Sequence, residues 1–190
     1  MTIAFRYTSK DLEDLPYVEG VRYEIIDGEL YVTTQPHGLH QFTCGAFISE
    51  LTQWCQRHGS GAVLPAPGII FSDDNNVGPD LVLFRDNRWL ESMDSGGHFH
   101  FAPDIIVEVV SPGKVNGVRD RELKLDLYSR RGVLEYWIAD YRARTVEVYR
   151  QEGGHLQLQA TLQGDDLLTS PLLAGFGCSV SRFWPTTAAR

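Results

Sequence analysis

Cysteine is scarce. The 190 residues hold three, Cys44, Cys55 and Cys178, and none stands in a CxxC or other zinc-binding spacing. An odd number of scattered thiols offers no disulfide framework, and reduced, buried thiols of a cytoplasmic protein are the simplest reading. Long apolar runs are missing too. No window approaches the ~18 apolar residues of a membrane span, and Met1–Thr8 lacks the hydrophobic segment of a signal peptide. Positive charge is in deficit: a formal net charge of -8 argues against wholesale electrostatic binding to nucleic acid or to an anionic membrane. No P-loop, dinucleotide fingerprint or Gly-x-Ser-x-Gly elbow supports an NTPase, a dehydrogenase or an esterase. Internal repeats, low-complexity tracts and linkers are absent. What is there is ordinary globular composition, 43% hydrophobic and 22% charged. It predicts one domain over residues 1–190, with a core over about 7–150 and a β-rich extension over 151–184.

Taken in order, the chain reads as strands punctuated by a few helices. Thr8 caps a short helix over Ser9–Leu15, stopped before Pro16. Asp27-Gly28 between Arg22–Ile26 and Glu29–Thr34 is a hairpin signal. From Leu39 to His58 the stripe Phe47, Leu51, Trp54 and Cys55 predicts a helix closed by Gly59. Short strands are expected at Ala62–Leu64, Gly68–Phe71 and Leu81–Phe84, separated by Pro65, Pro67 and the turn-rich Ser72–Asn76. Arg85–Gly97 reads as a loop with a turn of helix. Asp104–Val110 has the β-branched, apolar look of a strand buried on both faces. A loop over Ser111–Val118 and a helix from Arg119 to Arg131 follow, then a strand at Glu135–Ala139. Thr145–Arg150 and Leu156–Leu162 alternate like an antiparallel pair joined through Gly153-Gly154, and the tail after Pro185 reads as frayed. The expected class is α/β (α+β): a mixed β-sheet flanked by helices, with an N-terminal β-hairpin.

Two charges in this pattern need an explanation. Glu108 sits in the middle of the buried strand, and Lys124 sits among the leucines of the following helix. An unpaired charge in a core costs several kcal/mol. A metal site would account for both. Asp104 shares a strand face with Glu108, but four residues at ~3.3 Å rise place the two ~13 Å apart, too far for one ion. Asp80, at the entrance of Leu81–Phe84, is the better partner: if the two strands are neighbours, ~4.8 Å apart, both acids converge on one divalent ion. Helical arithmetic at about 100° per residue points Lys124 between the core-facing Leu127 and Tyr128, toward those carboxylates.

Pro79-Asp80, Glu108-Val109-Val110 and a displaced Lys124 resemble the PD-(D/E)XK nuclease pattern. More closely, the chain resembles the putative restriction endonuclease domain family, formerly a domain of unknown function. That family's Tyr-Glu-Leu-Ile-Asp-Gly-Glu, Pro-Asp-Leu, Glu-Val-Leu-Ser-Pro-Ser, Lys-x-x-x-Tyr and Gly-Val-x-Glu-Tyr-Trp blocks have counterparts here. They are Tyr23–Glu29, Pro79–Leu81, Glu108–Pro112, Lys124–Tyr128 and Gly132–Trp137, in the same order. The likeness runs from about Tyr7 to Arg150. Two positions depart from the pattern: Val110 stands where the lysine after the acid normally stands, and Gly113 replaces the usual serine. The resemblance therefore assigns the lysine role to Lys124. It implies a restriction-endonuclease-like fold and hydrolysis of phosphodiester bonds, in DNA, with Mg²⁺ or Mn²⁺ as cofactor. Asp80, Glu108 and the Val109 carbonyl would hold the ion, and Lys124 would orient the attacking water or stabilise charge on phosphorus.

Glu24, in the Tyr-Glu block, and His40, near the start of the long helix, are supporting candidates; strand alternation leaves the direction of Glu24 open. His98 and His100 form a His-x-His pair without a third ligand. Residues 114–131 carry six cations against three acids, and Lys114, Arg119 and Arg121 are the candidate nucleic-acid contacts. An ordinary solvated helix face is the competing reading. Cutting both strands of a duplex calls for two sites, hence an expected homodimer. Two alternatives stay open: a catalytically silent nuclease-fold module that binds nucleic acid or a protein partner, and hydrolysis of another phosphoester at the same metal site.

Overall fold

The structure is a computed structural model that describes residues 5–110 and 118–186. The Ser111–Val118 loop, apart from its last residue, and the end of the tail lie outside the described residues, and so does Lys114.

The hairpin forms as expected, with β1 (Arg22–Ile26) antiparallel to β2 (Glu29–Thr33). Asp27 and Gly28 both take positive φ, 48° and 76°, the two-residue turn whose twist matches the flanking strands. Helix α1 (Ser9–Glu13) precedes it, with the Asp11 carboxylate accepting from the Thr8 N–H at 2.6 Å. Helix α2 (Gly38–His58) follows and ends at Gly59 in the left-handed conformation. Next come β3 (Ala62–Pro65), β4 (Ile69–Ser72), β5 (Asn75–Val77) and β6 (Leu81–Phe84). The sequence reads Ser72–Asn76 as turn alone. In the fold the turn is confined to Asp73-Asp74, and Asn75 opens a strand because its side-chain oxygen accepts from the Asp27 N–H at 3.0 Å.

The short helix α3 (Arg88–Glu91) leads to β7 (Ile105–Val109). A π-helical turn, Arg119–Lys124, then continues into α4 (Leu125–Arg130), where a uniform α-helix was expected. Strands β8 (Glu135–Asp140), β9 (Thr145–Glu152) and β10 (His155–Gln163) complete the main sheet. Two short strands, β11 (Leu167–Leu168) and β12 (Cys178–Ser179), and a 3₁₀ turn at Val180–Phe183 end the described chain.

The main sheet runs β10-β9-β8-β7-β6-β3, with β7 and β8 parallel and the other pairs antiparallel; a second sheet runs β2-β1-β5-β4. Alternation along β7 sorts two cores. Ile105, Val107 and Val109 face α2, whose Phe47, Leu51 and Trp54 are buried, each such side chain contributing about 1.5–3 kcal/mol. Ile106 and Val110 face Leu127 and Tyr128 of α4 together with Ile26, Ile69 and Val77 of the second sheet. The C-terminal segment closes over α2. Phe183 stacks on Phe47 at 3.8 Å, and the Trp54 indole donates to the Ala174 carbonyl at 3.0 Å. Among the described residues, no helix is long and apolar enough to cross a membrane.

Candidate active site

Strand pairing sets the site. Strands β6 and β7 are antiparallel neighbours with Leu81 opposite Val107, Val82 opposite Ile106 and Leu83 opposite Ile105. One step further along the same register, Asp80 stands opposite Glu108. The link is made visible by the Val109 N–H, which donates to Asp80 Oδ2 at 2.8 Å. Asp104, at the other end of β7, is turned to a different task. It accepts from the Arg85 N–H at 2.9 Å and pairs with Arg85 and Arg88.

Glu108 shares the β7 face that looks toward α4, and Lys124 meets it there. Lys124 Nζ lies 2.8 Å from Glu108 Oε1 and 2.9 Å from Glu24 Oε1, with 1% of its side chain exposed. The Tyr128 hydroxyl donates to the same Glu108 oxygen at 3.0 Å. Both side-chain hydrogen bonds that Glu108 receives from described residues therefore land on Oε1. Glu24, whose direction alternation left open, points inward. Its Oε1 also accepts from the Gly78 N–H at 2.9 Å, tying the hairpin to the Gly78–Asp80 approach. The π-helical turn brings one more pair to this place. Winding of i to i+5 puts Arg119 on the side of Lys124. Arg119 sits 3.7 Å from Glu24 Oε2 and 3.1 Å from Asp120 Oδ1, and Arg119 and Asp120 are both buried.

Negative charge is in surplus here. Among the described residues, Glu24, Asp80, Glu108 and Asp120 have Arg119 and Lys124 as their buried permanent cations. Burial pushes the Glu108 carboxyl up to about 8 against the pull of Lys124, and the charges of Asp80, Asp120 and Glu24 push the same way as burial. Burial disfavours the Lys124 ammonium, yet Glu108, Glu24 and Asp120 outweigh it and hold it above the ordinary lysine value. Burial also raises Asp120. It opposes ionisation of Glu24 and Asp80 as well, but Lys124 and Arg119 hold Glu24 below the usual range, and the His40 hydrogen bond and charge do so for Asp80.

His40 joins the site from α2, with Nε2 3.1 Å from Asp80 Oδ2. Its Nδ1 lies 3.6 Å from the buried Cys44 sulfur, one helical turn on. Burial and the charges of Asp80 and Glu108 push the Cys44 thiol up. The second Asp80 oxygen, Oδ1, has Arg22 at 4.0 Å. A cavity of about 260 Å³ opens over these groups, walled by Gly20–Arg22 and Thr33–Pro36 and lined by Glu24, His40, Asp80, Glu108, Val109, Arg119 and Lys124. The fold thus brings Asp80, Glu108, Val109, Lys124, Glu24, His40 and Arg119 together.

The other described basic residues of this stretch, Arg121, Arg130 and Arg131, are spent on the protein itself. Arg121 binds Glu147 at 2.7 Å and Asp140 at 3.6 Å. Arg130 grips both Asp27 oxygens, at 3.1 and 2.9 Å, and Arg131 donates to the Phe71 carbonyl and the Ser72 hydroxyl. These two arginines clamp α4 to the second sheet. His98 and His100 both turn to Asp94, at 3.5 and 2.8 Å. Sequence reasoning missed Tyr128 and Asp120 as members of the site. Both carried a signal, standing one helical turn after and before Lys124 and so on its face of the helix.

The comparisons with known proteins agree with this architecture. The family described as "Putative restriction endonuclease" (Uma2) matches residues 9–181. A solved structure described as a putative nuclease belonging to DUF820, from Anabaena variabilis, superposes with a TM-score of 0.73 at 19% identity. The match covers 93% of this chain and 96% of that one, a likeness of fold. No curated protein matches.

Proposed function

The chain belongs to the family described as "Putative restriction endonuclease" (Uma2), and from that premise we propose that it is a divalent-metal-dependent nuclease acting on DNA. The observation that carries the reading is the meeting of Asp80 and Glu108 on adjacent strands, beside Lys124 and under one cavity. The donor set fits a hard divalent ion: carboxylate oxygens and, among the described residues, more buried acids than buried permanent cations. Asp80 through Oδ1, Glu108 through Oε2 and the Val109 carbonyl are the proposed ligands. Mg²⁺ or Mn²⁺ bound there would polarise the phosphate and acidify a water.

The remaining roles follow from charge. Lys124 is held protonated by its carboxylates, so it acts as a fixed cation that stabilises charge on phosphorus or orients the water, not as a proton acceptor. Glu24 and Tyr128 position Lys124 and Glu108, and His40 fixes the rotation of the Asp80 carboxylate. Arg119, which lines the cavity, is the described residue among the candidate nucleic-acid contacts that we propose to meet a phosphate. We further propose that residues 1–190 act as one domain, and that double-strand cutting uses a homodimer.

A plasmid-nicking assay with Mg²⁺ or Mn²⁺ tests the reading. Wild type converts supercoiled to relaxed circles, and Glu108→Ala and Lys124→Ala each lower the rate by about 10²–10³-fold. Undiminished cleavage by both variants overturns the assignment. One observation favours the silent alternative: most described arginines near the site are already paired with acids of the protein itself. Absence of cleavage together with absence of divalent-ion binding selects that alternative.

A further inference from the structure

We propose that His40, Cys44 and Asp80 form a capture site for a thiophilic divalent ion of the zinc class, and that its occupation withdraws Asp80 from the ion position shared with Glu108. The regulatory half of this inference rests on the nuclease reading; the binding half does not. One donor atom from each residue lies within 4.8 Å of the other two. His40 and Cys44 stand four apart on α2 and so share a face. His40 Nε2 is 3.1 Å from Asp80 Oδ2, and His40 Nδ1 is 3.6 Å from Cys44 Sγ.

A tetrahedral zinc ion, with bonds of about 2.0–2.3 Å, sets its donors roughly 3.3–3.6 Å apart. The two short contacts use opposite ring nitrogens, so binding turns the His40 ring until one nitrogen, the sulfur and one carboxylate oxygen close from within 4.8 Å of one another to that spacing. Three protein donors leave a fourth position open. A second cavity of about 180 Å³ borders this group, between α2 and Pro65-Ala66, and holds room for the water that completes the shell.

Donor chemistry separates this site from the one described above. Mg²⁺ takes oxygen ligands and has little use for a thiol, whereas zinc-class ions favour nitrogen and sulfur. Binding replaces the S–H bond of Cys44 by a sulfur–metal bond and releases that proton to solvent; His40 ligates through a nitrogen lone pair, and any imidazolium proton on that nitrogen leaves with it. Asp80 is the shared residue. Rotated toward His40 and Cys44, its carboxylate no longer serves the oxygen site, so a zinc-class ion acts as an inhibitor that excess Mg²⁺ opposes.

The test titrates the metal-free chain with Cd²⁺ and follows the thiolate-to-metal charge-transfer absorption in the ultraviolet. Wild type gains the band at one equivalent, Mg²⁺ does not produce it, and Cys44→Ser and Cys44→Ala, checked for native circular dichroism, lose it. A band that is absent in wild type, or that survives in both variants through Cys55 or Cys178, overturns the proposal. In a second arm Zn²⁺ is added to the Mg²⁺-supported nicking reaction. Wild type slows at least tenfold while Cys44→Ser keeps its rate; equal inhibition of the two overturns the regulatory step. If the chain cleaves nothing, the nuclease reading fails and the cadmium band still decides the site.

Discussion

Replacing Lys124 by methionine tests the charge balance at the centre of the site. The change keeps an apolar stem of similar length and removes a cation whose side chain is 1% exposed, 2.8 Å from Glu108 and 2.9 Å from Glu24. Removing one member of a buried ion pair costs about 3–5 kcal/mol, because the other member is left charged without a partner. For a domain of this size that is a fall in Tm of roughly 6–20 °C. The deficit depends on pH. In wild type, Glu24 is held below the usual carboxyl range, so its contribution is present above the unfolded value and lost as pH falls through the folded one. Without Lys124 the strongest charge holding Glu24 down is gone, so less of that contribution remains above the unfolded value. Glu108, already pushed up to about 8, adds to the loss at higher pH still. Thermal and urea unfolding in the presence of EDTA, at about pH 5, 7 and 9, should show the deficit widening with pH. Adding Glu108→Gln to Lys124→Met should recover part of it at the alkaline end. A deficit below about 1 kcal/mol at every pH, as expected of an exposed lysine, would refute the reasoning.

Three further outcomes follow from particular contacts. Phe183→Ala removes a fully buried ring stacked on Phe47 and should cost about 3–5 kcal/mol in urea unfolding; a loss under about 1 kcal/mol would mean the C-terminal segment does not cover α2. Gly28→Ala places a Cβ at φ 76°, 2.8 Å from the Arg6 side chain, and should cost about 1 kcal/mol or more by the same assay. Glu24→Gln should lower the metal-supported cleavage rate by roughly tenfold without weakening Mn²⁺ binding, since Glu24 acts through Lys124. An equal loss of Mn²⁺ affinity would make Glu24 a ligand instead.

Much of this fold could be read from local pattern. Asp27-Gly28 announced its turn because both positions need positive φ, and Phe47, Leu51 and Trp54 announced α2 because burial repeats with the helical period. The apolar run around Glu108 announced a strand buried on both faces, and that burial made one carboxylate conspicuous. Other features depend on contacts between distant residues. Strand β5 is polar, and it is held by pairing with β4 and β1 and by the Asp27 N–H, far away in the chain, donating to the Asn75 side chain. Glu24 lies on a strand whose last three residues are all buried, so no alternation was there to orient it. Arithmetic on a regular helix turned Lys124 inward, as the structure has it, but said nothing of the π-helical winding, a tertiary outcome that brings Arg119 to the side of Lys124. The arginines that looked like a phosphate-binding face are tied to Glu147, Asp27 and Ser72, acids and hydroxyls that only the folded chain brings near.

The most direct test of the central claim is a Mn²⁺-soaked crystal examined by anomalous scattering. The account predicts one peak about 2.0–2.2 Å from an oxygen of Asp80 and an oxygen of Glu108, with the Val109 carbonyl in the same shell and Lys124 still on Glu108, and loss of the peak in Glu108→Gln. Mn²⁺ bound elsewhere, or a peak that persists unchanged in Glu108→Gln, would contradict it.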